Sequence, residues 1–169
     1  MTNYPQYPAG SSPEPPMNQG PIGPRPSSID MAVKLIWVAV ALTVLSTLLS
    51  FLYLDDAVDS ALDNDTTGTL TEDAARTAVI VVTVLILAIG VGLYAMLAFF
   101  IGKGKNWARI VYTVLAALFL LLGILGLGGD QPAVSMLLGV IQVVVTVATL
   151  FFLWKRESTD WLTGRPAAA

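Results

Sequence analysis

Thr77 to Ile101 reads TAVIVVTVLILAIGVGLYAMLAFFI, and no Asp, Glu, Lys or Arg interrupts it. At about 1.5 Å rise per residue such a run makes a helix of roughly 38 Å, longer than the roughly 30 Å hydrocarbon core of a bilayer. Lipid offers no partner to a backbone N–H or C=O, so an apolar segment of this length is read as a spanning helix that satisfies its own backbone. Working outward, three more uncharged runs follow the same logic: Leu35 to Leu54, Ile110 to Leu127 and Ala133 to Leu153. Together the four occupy about half of the 169 residues. Burying them in a soluble core would need a polar coat this chain lacks, because only 12% of its residues are charged where a soluble domain carries roughly 25%. The sequence therefore predicts an all-α, integral membrane four-helix bundle. Its transmembrane domain covers residues 29–156, with spans at about 32–54, 75–101, 108–127 and 133–154, an acidic loop at 55–74 and a short tail at 157–169.

Composition narrows the chemistry. A formal net charge of −3 gives no basic face for a nucleic-acid partner. The chain has no cysteine and no histidine, so thiolate nucleophiles, disulfides and the commonest general base and metal ligand are all missing. No spacing sets a base beside a nucleophile, and neither an enzyme nor a cofactor is expected.

Topology follows from the basic residues. With a cytoplasmic N-terminus, Arg25, Lys34, Lys103, Lys105, Arg109, Lys155, Arg156 and Arg165 all fall on the cytoplasmic side and only Arg76 falls outside. Asp55, Asp56, Asp59, Asp63, Asp65, Glu72, Asp73 and Asp130 fall on the opposite side. Trp37, Trp107, Trp154 and Trp161 gather at the cytoplasmic interface, where an indole can sit among headgroups. Both termini are then cytoplasmic. Residues 1–28 are a different material: eight of the ten prolines lie between Met1 and Pro26, among Gly, Ser, Asn, Gln and Tyr. A segment of this kind buries no core and reads as a disordered, proline-rich tail, free or bound by an aromatic-lined partner groove.

Small and polar residues recur along two spans. Ser135, Gly139, Gln142, Thr146 and Thr149 are spaced by four, three, four and three, and Ala39, Thr43, Ser46 and Ser50 follow the same rule. Lipid does not reward apolar contact between helices, so close backbone approach and interhelical hydrogen bonds hold such bundles together; a helix-packing seam is the first reading. The second is a polar path through the bundle centred on Gln142. No ionisable group lies in these runs to mark an ion-coupled route.

In the acidic loop, Asp63, Asp65, Gly68 and Leu70 match positions one, three, six and eight of a calcium loop, with Thr67 at five. Ala74 stands where a bidentate Glu should close the shell, so Asp63, Asp65, Thr67 and Glu72 make at most a weak metal site. The plainer reading is a Thr69–Glu72 capping box before the second span, preceded by a short helix carrying Asp55, Asp56 and Asp59 with Val58, Ala61 and Leu62 on its less polar side. At the cytoplasmic turn, Gly102-Lys103-Gly104-Lys105-Asn106-Trp107-Ala108-Arg109 lacks the P-loop spacing. Lys103, Lys105, Trp107 and Arg109, with Trp154, Lys155 and Arg156 at the last exit, form instead a lipid headgroup or interface set. Trp161 and Leu162 are expected to rest a tail segment on the bilayer before Gly164.

The Pro/Tyr-rich leader, the Arg25-Pro26-Ser27-Ser28-Ile29-Asp30 entry, the GKNWAR turn and the Trp154-Lys155-Arg156-Glu157-Ser158 exit resemble small four-span membrane proteins of actinobacterial type. The resemblance implies a bacterial cytoplasmic membrane and carries over no functional residues. The leading expectation is a non-enzymatic accessory or scaffolding component, with membrane lipid and a membrane-protein partner or a second copy as its contacts. A small oligomeric transporter or channel using the seam around Gln142 is the alternative, and a weak extracytoplasmic divalent-cation sensor the third.

Overall fold

The computed structural model describes residues 23–126 and 132–164. Every regular element among them is helical: α1 (Ser27–Ser50), α2 (Leu54–Asp63), α3 (Glu72–Gly102), α4 (Asn106–Gly126), α5 (Ala133–Leu153) and α6 (Arg156–Thr163), with one 3-10 turn at Phe51–Tyr53 between α1 and α2. Four of these helical segments are long and apolar enough to cross a membrane. The all-α four-span bundle is thus the fold. Of the proline-rich tail, residues 1–22 lie outside the described residues, as do Leu127 and the Asp130 of the last loop.

Local chemistry sets the helix ends. Pro26 precedes α1 in extended conformation (φ −65°, ψ 148°) and its carbonyl accepts from Ile29 N–H, so the ring that cannot donate stands where no donor is needed. Near its far end Thr43, Thr47 and Ser50 donate back to the carbonyls of Ala39, Thr43 and Thr47 at 2.9, 2.9 and 2.7 Å. Hydroxyl back-bonding of this kind bends helices, and α1 gives way to its 3-10 turn directly after the third bond. The acidic α2 then continues with Val58 buried beneath Asp55, Asp56 and Asp59, as its spacing predicts. At the α3–α4 turn Gly104 adopts φ +78°, which a residue with Cβ rarely does. Gly104 N–H bonds Ile101 O and Lys105 N–H bonds Phe100 O at 2.9 and 3.0 Å, closing a Schellman turn that reverses the chain.

In the bundle, α1 packs on α3 and α5, and α4 touches α3 and α5 from the opposite corner. The core is lopsided. Ile29, Ile36, Leu97, Ile101, Tyr112 and Leu153 are fully buried, and all lie in the half of the bundle near Ser27, Lys103 and Arg156, the basic end. Toward the acidic end the spans separate. Outward-facing side chains such as Leu85, Ile89 and Leu125 are 58%, 62% and 70% exposed, which is tolerable only where hydrocarbon is their solvent.

Candidate functional site

The separation of the spans leaves a cavity of about 470 Å³ inside the bundle. That volume falls in the range of roughly 300–1,000 Å³ occupied by small-molecule sites. Helix α1 contributes Ala39, Thr43 and Thr47; α3 contributes Thr83, Gly90 and Tyr94; α4 contributes Tyr112, Phe119 and Gly123; α5 contributes Gly139, Gln142 and Thr146. Aromatic rings line it on the α3 and α4 side: Tyr94 meets Tyr112 edge-on at 5.7 Å and Phe119 at 6.2 Å. Half of the seam read from sequence therefore surrounds a space. A Cβ built on Gly90 or Gly123 would meet nothing within 4 Å, so these glycines hold no helix pair in close contact. Thr149 does pack as expected, at 0% exposure, and Ala39 is 4% exposed although it borders the cavity, whereas Ser46 and Ser135 are half-buried and Ser50 is exposed at the end of α1. Bulk explains the division. Tyr94, Tyr112 and Phe119 prop the bundle open beside positions too small to fill the gap.

Beside the hydroxyls of Thr83, Tyr94 and Tyr112, the polar groups in this cavity are three further threonines and one glutamine. The hydroxyls of Thr43, Thr47 and Thr146 donate to carbonyls of their own helices at 2.9, 2.9 and 2.8 Å, so their protons are already committed. Gln142 is different: its Oε1 is buried and has no hydrogen-bond partner among the described residues. Leaving such an acceptor unsatisfied costs about 1–3 kcal/mol, more where water is excluded. No Asp, Glu, Lys or Arg lines the space. Chemically it suits an uncharged, largely apolar molecule with a hydrogen-bonding group.

At the basic end the structure corrects the sequence reading of Arg109. Its side chain turns inward, 4% exposed, where Nη1 donates to Thr159 Oγ1 at 3.0 Å and more weakly to Leu153 O at 3.5 Å. The guanidinium stacks on Trp154 at 4.4 Å, and Trp154 Nε1 donates to Thr113 Oγ1 at 3.1 Å. Arg109 is therefore a structural pin between α4 and the α5–α6 corner. Lys103, Lys105, Trp107, Trp154, Lys155 and Arg156 remain exposed at this end, as an interface set requires.

Trp161 and Leu162 also depart from expectation. They pack into the bundle, 8% and 3% exposed, and Trp161 Nε1 donates to Gly23 O at 3.3 Å. Ser158 Oγ lies 2.8 Å from Ser28 Oγ and 2.7 Å from Phe152 O, and all three groups are drawn together at the entry of α1. Amphipathic α6 finds its apolar partner in protein, with αL Gly164 ending it. Sequence reasoning missed this clasp because contacts between residues 130 positions apart leave no local signal.

The acidic loop is tied by its own hydrogen bonds. Asp65 Oδ1 accepts from Thr67 N–H and Thr67 Oγ1 at 2.9 and 2.6 Å, and Oδ2 accepts from Leu70 N–H at 2.8 Å. These donors pull the Asp65 carboxyl down to about 2. Thr71, rather than Thr69, caps α3 by accepting from Ala74 N–H, because Thr69 is engaged with Thr67. Among the described residues no three or more His, Cys, Asp or Glu side chains come together to hold a metal ion, so the carboxylates of Asp63, Asp65 and Glu72 do not form a cluster, although Thr67 does sit on Asp65. The lone cation of this side, Arg76, pairs with Asp55 and joins α3 to α2.

No protein-family model, curated protein or solved structure matches this chain.

Proposed function

We propose that this is a non-catalytic, multi-pass protein of a bacterial cytoplasmic membrane that holds an uncharged lipophilic molecule between its spans. The cavity around Gln142 carries this reading. Its walls exclude ions by offering no charge, its rings and aliphatic chains accept an apolar body, and the buried, unpartnered Gln142 Oε1 supplies a polar handle. Basic residues at one end and acidic residues at the other support cytoplasmic termini. The end-of-span motifs support an actinobacterial type of membrane.

A photoreactive medium-chain alcohol, added to the full-length protein in liposomes, tests the binding reading. Label should map to Thr83, Gly139 and Gln142, and Gly123→Phe should abolish it by filling the space. Uniform labelling of outward residues such as Leu85 and Leu125, unaltered by Gly123→Phe, would remove the cavity as a site. Adding a flux measurement for the same alcohol separates a carrier from a binding protein.

The basic-end clasp supports a second reading, an accessory protein that presents its proline-rich leader to a membrane partner. Trp161 Nε1 holds the Gly23 carbonyl and Ser158 holds Ser28, so the described chain begins at a point anchored beside α6. Proximity crosslinking in native membranes, with and without residues 1–22, tests it: an unchanged set of neighbours after truncation sinks this role.

A further inference from the structure

We infer that a groove between α1 and α3 at the basic end binds an anionic phospholipid, its phosphate between Arg25 and Lys103 and one acyl chain along the groove toward the membrane centre. The groove measures about 340 Å³. Arg25, Gly102 and Lys103 form its rim, while Val33, Trp37 and Phe99 line the part that runs along the spans.

Three observations fit this occupant. Asp30 accepts from Arg25 Nε at 2.7 Å, which fixes the guanidinium and leaves its terminal nitrogens directed over Gly102. A Cβ at position 102 would stand 3.4 Å from Nη1, so the glycine lets the guanidinium lie against the end of α3. Lys103 Nζ rests 4.2 Å from the centre of the Phe99 ring, and no carboxylate among the described residues pairs with it. Two cations and one carboxylate leave the rim net positive, with N–H donors free for phosphate oxygens. Between Val33 and Trp37 α1 descends roughly 6 Å along the groove, a stretch that takes the first methylenes of an acyl chain just below the headgroup. A soluble phosphate would use only the rim; a phospholipid uses the rim and the apolar length below it. The interface set read from sequence holds Lys103 together with Lys105, Trp107, Arg109, Trp154, Lys155 and Arg156; Arg109 is committed inside the bundle, and Arg25, outside that set, supplies the second cation of this groove.

Native mass spectrometry of the full-length protein in mild detergent, with dioleoyl phosphatidylglycerol or dioleoyl phosphatidylcholine added, tests the proposal. Phosphatidylglycerol should be retained over phosphatidylcholine, and Arg25→Gln and Lys103→Gln should each lower its retention about fivefold. Lys105→Gln removes a general headgroup contact outside the groove and should lower retention by no more than about twofold. Gly102→Val keeps every charge but crowds the guanidinium, and should also weaken retention. Equal retention of the two lipids, or Lys105→Gln as damaging as Lys103→Gln, overturns the assignment. Full displacement by inorganic phosphate would instead make the rim a soluble-anion site. If Arg25→Gln fails to fold, Lys103→Gln decides, because its exposed side chain supports no core contact.

Discussion

The guanidinium of Arg109 stacks on the indole of Trp154 at 4.4 Å, and that indole donates to Thr113, whose own hydroxyl donates to the Arg109 carbonyl. The pair closes a small ring of contacts between α4 and the end of α5. One charged side chain is thus spent on joining the two spans rather than on meeting the headgroups.

Replacing Arg109 tests that role. Arg109→Gln loses a charge-assisted bond to Thr159 and the stack on Trp154, and should destabilise the bundle by about 2–3 kcal/mol. Arg109→Lys should not rescue it, since an ammonium cannot lie flat on the indole and reach Thr159 together. Thermal melts of the detergent-solubilised variants by circular dichroism supply the readout, and equal melting of Lys and wild type would refute the stacking argument.

The Ser28–Ser158 contact should behave as one unit. Ser28→Ala and Ser158→Ala are each expected to cost about 1 kcal/mol, and the double variant clearly less than the sum, as two ends of one buried bond do. A double-mutant cycle measures this, and strict additivity would mean that the clasp is not formed in the membrane-extracted protein.

The cavity makes a stability prediction at each of two of its residues. Gly90→Ala adds a methyl group where nothing lies within 4 Å and improves the helix propensity, so stability should rise by about 0.5–1 kcal/mol. Gln142→Leu removes the unpartnered amide and should be neutral or stabilising by about 1–3 kcal/mol, while retention of the photoreactive alcohol is lost. A stability loss in Gly90→Ala, read from the same melts, would show that the spans close on one another there.

The acidic loop has a defined pH response. The Asp65 carboxyl is held down to about 2 by donors from Thr67 and Leu70. A depressed folded-state pKa contributes to loop order above the ordinary carboxylate range near 3.8 and loses that contribution as pH falls through about 2. Carboxyl NMR of labelled aspartate should give a midpoint near 2, and exchange of the Leu70 amide should lose its protection over the same interval. An Asp65 midpoint near 3.8 would dissolve the proposed loop bonds. Added calcium should leave both signals in place, because both carboxylate oxygens are already occupied.

Four uncharged runs of spanning length and a shortage of charge were enough to establish an all-α bundle, since backbone satisfaction in lipid leaves few other solutions. The acidic α2, with Val58 inside, was legible for the same reason: a local periodicity reports directly on a local face. The Thr71 cap and the turn at Asp65 were half legible. Several hydroxyls and carboxylates compete for the same few amides there, and propensity alone does not choose among them.

What the chain by itself determined is its solvent and its helices, because those depend on how many apolar residues stand in a row. Only the tertiary structure decided which small residues touch and which stand apart. Thr149 is sealed while Gly90 and Gly123 stand open, because Tyr94 on α3 and Tyr112 and Phe119 on α4 set how closely the spans can approach. The same is true of Arg109 and Trp161. A cation and an indole near a membrane boundary suit either headgroups or a protein interior, and the choice rests on whether a partner such as Thr159 or the Gly23 carbonyl is folded within reach.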